Sequence, residues 1–196
     1  MAAGEPQQSE RTPRAGVRSG HQWRLWLSGL FGPRYDGLIH FHVVMPGVLL
    51  RCGQPRVRDL ETVLREHGLK TIVAARGGIR HPLRGAWFGR QTAWCARHGV
   101  ELVHMPFSDA KYPPEEVFER FLAIVADAQR RPVLVHCEQG FHRTGILVAA
   151  YRIRDCGWTL EQAEEELAAL GFEFDREKRQ GLLNAFRRWA AQQTPG

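Results

Sequence analysis

Cys137 and Arg143, separated by five residues in the run RPVLVHCEQGFHRTG from Arg131 to Gly145, are the side chains of this sequence best suited to chemistry on a phosphate. A short apolar run ends at His136, Gly140 lies inside the intervening stretch, and a long apolar-periodic segment follows Arg143. The order strand, tight loop, helix start brings backbone N–H groups to one point. The positive end of the helix adds to them, and together they bind anions. A cysteine in that field is shifted towards thiolate and becomes a nucleophile near neutral pH. Arg143 supplies a planar fork of donors that matches two phosphate oxygens. A merely buried core cysteine is the bland alternative, and the adjacent His136, Gly140 and Arg143 speak against it.

The elements that must hold this loop follow from periodicity and turn signals. Val43 to Leu50 reads as a short hairpin or two edge strands around Pro46-Gly47. RCGQP, Arg51 to Pro55, then leads into a helix from about Arg56 to His67, stopped by Gly68. Lys70–Ala75 is a buried-type strand, Gly85–His98 a helix stopped by Gly99, and Val100–Met105 the next strand. Pro113 and Pro114 open a helix expected to run to Arg130, with Glu115 and Glu116 in its first turn. Val133–His136 is the central strand, and Thr144–Cys156 the helix after the loop. Thr159 caps another helix with Gln162 as its capping-box partner, and a final helix spans Asp175 to about Ala191. Strands alternating with helices predict an α/β domain with a mostly parallel central sheet flanked by helices. Ligands in such sheets bind beyond the carboxyl ends of the strands, where Cys137 would lie.

Composition narrows the partners. The chain has 196 residues, a formal net charge of +6 and a pI near 9.6, which favours anionic partners. No Lys/Arg block with interleaved aromatics appears, so nucleic acid is not expected. Cys52, Cys95, Cys137 and Cys156 show no CxxC pairing and read as free thiols in a reducing compartment, hence a cytoplasmic location. The histidines show no HExxH spacing, and no metal site is expected. No stretch approaches the roughly 20 apolar residues that span a bilayer, and no signal-peptide pattern is present.

Residues 1–36 read as a flexible basic tail, with the phosphate-site domain over 37–196. Within the tail, Trp23–Phe31 (WRLWLSGLF) leaves a peripheral membrane contact open as an interfacial anchor. A short helix packed on the domain is the favoured alternative, since one or two turns hold lipid weakly.

HCEQGFHRTG resembles the signature loop of the protein tyrosine phosphatase and dual-specificity phosphatase superfamily. VVMPGVLLRCGQP, a helix, then LKTIVAARG resemble the opening of its compact bacterial and plant/fungal-type dual-specificity members. The resemblance runs from about Phe41 to the C-terminus. It implies a phosphatase-type fold and a metal-independent phosphomonoester hydrolase that uses a phosphocysteine intermediate and no cofactor. By that resemblance Cys137 attacks phosphorus. Arg143 and the backbone amides of Glu138, Gln139, Gly140, Phe141, His142 and Arg143 hold the equatorial oxygens. His136 orients the loop and helps keep the cysteine ionised, and Thr144 bonds the sulfur and assists its departure.

The resemblance also implies an aspartate on an upstream loop that protonates the leaving group and then activates water, and Asp109, in MPFSDAKYPP, is the candidate for it. As a plain turn residue it would instead bond its own backbone. Glu115 and Glu116 are the fallback acids. His142 is either a substrate contact or a solvated loop residue. Arg76, Arg80, Arg84 and Lys111 form either a basic rim at the mouth or ordinary solvated charges. Cys52 or Cys156 could pair with Cys137 on oxidation, although structural thiols are commoner. Glu138 inside the loop and the lack of a lysine there favour a phosphoprotein or simple phosphomonoester substrate over an inositol phosphate or phospholipid. A non-catalytic module that binds phosphorylated ligands, and a rhodanese-type sulfur transferase, are the alternatives of different class.

Overall fold

In a computed structural model of the protein, residues 38–79, 85–111 and 113–193 are described. The tail of residues 1–36, Trp23–Phe31, Arg80 and Arg84 lie outside them. Five strands form one sheet in the order β1-β2-β5-β3-β4: β1 His42–Met45, β2 Leu49–Cys52, β3 Thr71–Ala74, β4 Glu101–His104 and β5 Val133–His136. Only β1, joined to β2 through the Pro46-Gly47 turn, runs antiparallel; the other pairings are parallel. The expected α/β architecture is therefore present. β2, β3 and β5 are buried along their whole length. That fits parallel strands covered on both faces, whose sequences run apolar instead of alternating.

Among the described residues six α-helices cover the sheet: α1 Val57–His67, α2 Ala86–His98, α3 Glu116–Ala126, α4 Arg143–Cys156, α5 Leu160–Ala169 and α6 Glu177–Ala191. On one face Leu50, Cys52, Ile72 and Leu134 pack with Leu60 and Val63 of α1 and Trp94 of α2. On the other, Leu49, Val73, Val133 and Val135 meet Phe121 of α3, Ile146 of α4 and Phe186 of α6. The sheet thus separates two apolar layers, and β5 carries side chains into both.

The helix expected over 113–130 is shorter than its apolar pattern suggested. It ends at Ala126, where Asp127 turns extended and its carboxylate accepts from Gln129 N at 2.9 Å, starting a separate turn of 3₁₀-helix. A carboxylate that can serve a nearby amide competes with continued helix. The Thr159 box forms as expected, Thr159 Oγ1 accepting from Gln162 N at 3.2 Å and Gln162 Oε1 from Thr159 N at 3.0 Å. It sets the angle at which α5 returns over α4.

Candidate active site

β5 delivers His136 to its carboxyl end, and Cys137 to His142 form the loop that enters α4 at Arg143. The loop's carbonyls are bonded outwards one after another. His136 Nδ1 lies 3.1 Å from Cys137 O, Gln54 N donates to Glu138 O at 2.9 Å, Arg51 Nη2 to Gly140 O at 2.7 Å, and Ile146 N to His142 O at 3.0 Å. Across a trans peptide the N–H points opposite to the C=O. Pinning those four carbonyls therefore turns the amides of Glu138, Gln139, Phe141 and Arg143 inwards, while Gly140 N donates to Cys137 Sγ at 3.2 Å. Neighbouring residues thus hold the opposite ends of the same peptides.

Two glycines permit this approach. A Cβ on Gly53 would lie 3.0 Å from Gln139 O, and one on Gly140, whose φ is +87°, would lie 2.7 Å from Gly53 N. Both obstacles are backbone and cannot swing aside. Gly140→Ala should cost about 1–3 kcal/mol through overpacking and the left-handed backbone. Thermal unfolding should show a lowered Tm. A Tm equal to the parent's would mean that the loop is not seated in this way.

Cys137 is 2% exposed. Burial pushes its thiol pKa up, but Arg143, the Thr144 hydroxyl and the amides of Thr144 and Gly140 together outweigh it, and the net shift is downwards. Thr144 Oγ1 is buried and finds no well-aligned hydrogen-bond partner among the described residues. Its influence on the sulfur is to lower the Cys137 pKa.

His136 is held as a neutral ring. It is fully buried, and burial together with the Arg76 and Arg143 charges holds its pKa at about 4, against a weaker opposing bond to the Cys137 backbone. Its ring is neutral, with Nε2 3.0 Å from Gln91 Nε2. Gln91 can only donate from that nitrogen, so Nε2 accepts and Nδ1 carries the hydrogen that reaches Cys137 O. His136 thus bonds the Cys137 carbonyl and Gln91 as a neutral ring and brings no positive charge to the loop.

Arg143 Nη1 is 3.5 Å from Phe107 O, and its Nε is buried with no hydrogen-bond partner. The Phe107–Asp109 stretch thus borders the loop, which places Asp109 in the field of Arg143. Burial raises the Asp109 pKa, but a bond from Arg179 and the Arg143, Arg179 and Lys178 charges bring the net shift below the usual carboxylate range. Arg179 Nη1, on α6, donates to Asp109 Oδ2 at 2.5 Å and to Asp109 O at 3.0 Å. The Asp109 carboxyl is held ionised and oriented, which the plain turn reading did not anticipate. Glu115, at the start of α3, accepts from Gln192 at the far end of α6 from Arg179 and does not join this group.

His142 is neither solvated nor free to meet substrate. It is 3% exposed, and its Nε2 lies 3.2 Å from Glu173 Oε2. Burial and Arg179 hold its pKa at about 4, so the contact is a hydrogen bond from a neutral ring. At the rim, Arg76 bonds Glu138 at 3.0 Å and Gln54 Oε1 at 3.2 Å while lying 5.1 Å over the Trp87 ring. The Glu138 carboxylate is thereby offset, which weakens its use as an argument against polyanions. Cys52 packs in the apolar layer on the opposite side of the sheet, yet burial and then the Cys137 charge push its thiol pKa up, so its sulfur is close enough to feel the nucleophile, whereas Cys156 ends α4.

Sequence reasoning left Arg51, Gln91, Glu173 and Arg179 without roles. Three of them had a signal, each being polar inside an apolar pattern: Arg51 in LLRC, Gln91 between Trp87 and Trp94, and Arg179 one turn before Leu182 and Leu183. Glu173 lies in a loop with no such contrast.

A family model described as "DSP-PTPase phosphatase fused to NAD+ Kinase" matches residues 46–181. "Dual specificity protein phosphatase TpbA" of Pseudomonas aeruginosa (strain UCBPP-PA14) is 35% identical over 80 residues, 41% of this chain and 37% of that protein. "Inositol diphosphatase SIW14" of Saccharomyces cerevisiae is 28% identical over 135 residues, 67% of this chain and 44% of that protein. The chain therefore spans less than half the length of these relatives. Among solved structures, that of P. aeruginosa TpbA superposes with a TM-score of 0.61 at 23% identity, covering 79% of this chain and 91% of that one. The S. cerevisiae SIW14 catalytic domain gives 0.61 at 22% identity, covering 81% and 96%. The likeness to the two structures is one of fold, and the family match spans the loop, β5 and the helices around it. The chain belongs to the protein tyrosine phosphatase superfamily, in its dual-specificity branch.

Proposed function

We propose that the protein is a cysteine-dependent phosphomonoester hydrolase acting on phosphotyrosine and on phosphoserine or phosphothreonine. The observation that carries this reading is a buried cysteine whose pKa is lowered inside a ring of inward amides, next to Arg143. The Cys137 thiolate attacks phosphorus, forming an S–P bond as the P–O bond to the leaving group breaks. The amides and Arg143 hold the equatorial oxygens, where fixed donors stabilise transition-state charge best. Water then attacks the phosphocysteine, breaking S–P and returning the thiolate, which Thr144 stabilises as it departs. Release of phosphate from an aryl phosphate in EDTA tests the reading. Tight binding of phosphopeptide with no burst of product would favour the non-catalytic module instead.

Asp109 is assigned the proton transfers: as acid to the leaving oxygen, then as base towards water. Its pairing with Arg179 has a consequence with a definite sign. A lowered carboxyl pKa means that the protonated form is lost at a lower pH, so the basic limb of kcat/KM for poor leaving groups falls early. Asp109→Asn should slow an alkyl or phenyl phosphate by about 10²-fold and a substrate with a good leaving group much less. Arg179→Gln should move the basic limb upwards. Equal losses on both substrates, or a basic limb unmoved in Arg179→Gln, would remove Asp109 from the acid role.

A second substrate reading, an inositol phosphate, is favoured by several relatives, among them "Inositol diphosphatase DSP4" of Arabidopsis thaliana. The Arg76–Glu138 pair makes it electrostatically admissible, since the acid in the loop is already offset. A panel of phosphopeptides, inositol phosphates and phospholipids decides between them by kcat/KM.

A further inference from the structure

Arg51 is 2% exposed, in the middle of β2, on a strand whose four residues are all buried. Burying a guanidinium is costly unless an opposite charge answers it. Among the described residues Arg51 forms no ion pair, and its Nε is buried without a partner. The carboxylate with the strongest pull on it, Glu166 of α5, is already bonded by Arg152 at 2.8 Å and 3.2 Å. A Cβ on Gly145 would lie 3.9 Å from Arg51 Nη2, so the guanidinium sits behind the loop, against the first turn of α4. Burial lowers its pKa, while Glu166 and then the Cys137 sulfur work to raise it. Within the loop, the group whose charge acts on this buried cation is the Cys137 sulfur.

The second observation is the bond from Arg51 Nη2 to Gly140 O at 2.7 Å. It holds that carbonyl away from the phosphate cradle, and the trans peptide then aims the Phe141 N–H into it. One side chain thus reaches the loop from behind in two ways, by charge and by a fixed peptide.

We propose that Arg51 is a positioning residue of the phosphate site, lending the Cys137 thiolate a second positive charge and fixing the Gly140–Phe141 peptide so that its amide faces the bound phosphate. The role differs from that of Arg143, which lies on the substrate side of the loop.

The test separates charge from geometry. The groups that face Arg51 are Cys52 beside it in β2, His42 on β1, Cys137 in the loop, Arg152 on α4 and Glu166 on α5. Those that face Cys137, besides Arg51 itself, are Cys52, Arg143 and Thr144, with the Thr144 and Gly140 amides. Of these groups only Cys52 is altered, and it is replaced alike in the parent and in both variants, so the comparison between them is unaffected. The pH dependence of Cys137 alkylation by iodoacetamide, with Cys52→Ser, Cys95→Ser and Cys156→Ser in the background, reports the thiolate directly and needs no turnover. Arg51→Gln keeps a donor for Gly140 O and loses the charge, so the alkylation profile should move up by about one pH unit. Arg51→Lys keeps the charge and loses the fork. Its alkylation profile should stay near the parent's, while protection by inorganic phosphate should weaken about fivefold, the loss of one well-placed hydrogen bond.

Profiles that coincide in the parent, Arg51→Gln and Arg51→Lys would overturn the charge role. Undiminished phosphate protection in Arg51→Lys would overturn the peptide role, and does so even where Arg51→Gln fails to fold. The role in turnover rests on the hydrolase reading, but the alkylation arms do not. A parent protein inactive on every phosphomonoester would remove that reading and leave this one standing or falling on the thiol alone.

Discussion

The Cys137→Ser variant is expected to keep its fold and lose turnover of an aryl phosphate by about 10⁵-fold or more. The reason lies in how the site treats a titratable atom. Burial opposes ionisation of Cys137, and Arg143, Thr144 and the two amides reverse that opposition. The same field acting on a serine hydroxyl starts from a pKa too far above neutrality to generate an alkoxide. Serine is also smaller than cysteine, so nothing in the packed loop must move, and Gly140 N can donate to Oγ in place of Sγ. Phosphate should therefore still bind, which separates loss of the nucleophile from loss of the site. Calorimetric titration with a phosphopeptide, run beside the turnover assay, distinguishes the two. Residual turnover within tenfold of the parent would remove Cys137 as the nucleophile.

What could be read from the sequence was local and what could not was long-range. The loop was legible because its chemistry is carried by consecutive residues: His136, Cys137, Gly140, Arg143 and Thr144 all lie within one strand-loop-helix passage. The parallel sheet was legible because buried strands advertise themselves as apolar runs. The state of His136 was not, because its neutrality depends on complete burial and on Gln91, which is 45 residues earlier in the chain. The hold on Asp109 was not legible either. Arg179 lies 70 residues beyond it, and only the return of α6 to the loop's edge brings the two together. His142 shows the same limit. Next to Arg143 it reads as a substrate contact or a solvent-facing ring, whereas Glu173 and the layer around Phe172 bury it. Residue types fix what a group can do, and distant neighbours fix its protonation and its aim.

Arg143→Lys should lower kcat by about 10²–10³-fold while leaving most of the thiolate in place. Arg143 is the largest of the favourable influences on the Cys137 pKa, and a lysine retains its charge. What lysine cannot retain is the planar fork. Nη1 of Arg143 lies against Phe107 O at 3.5 Å and its Nε has no partner, so the guanidinium is anchored on one side with a donor to spare. That arrangement suits two oxygens of a trigonal-bipyramidal phosphoryl group, which a compact ammonium meets singly. The loss should therefore fall mainly on kcat, because the fork fits the transition state better than the tetrahedral ground state. Arg143→Ala removes charge as well as fork, and should in addition raise the pH at which Cys137 becomes alkylated. Measuring the alkylation profile and kcat for both variants apportions the two effects. If Arg143→Lys lost thiolate as fully as Arg143→Ala, the planar fork and not the charge would be what ionises the cysteine. If its kcat stayed within threefold of the parent, Arg143 would act as a point charge, and phosphate orientation would fall to the inward amides of the loop.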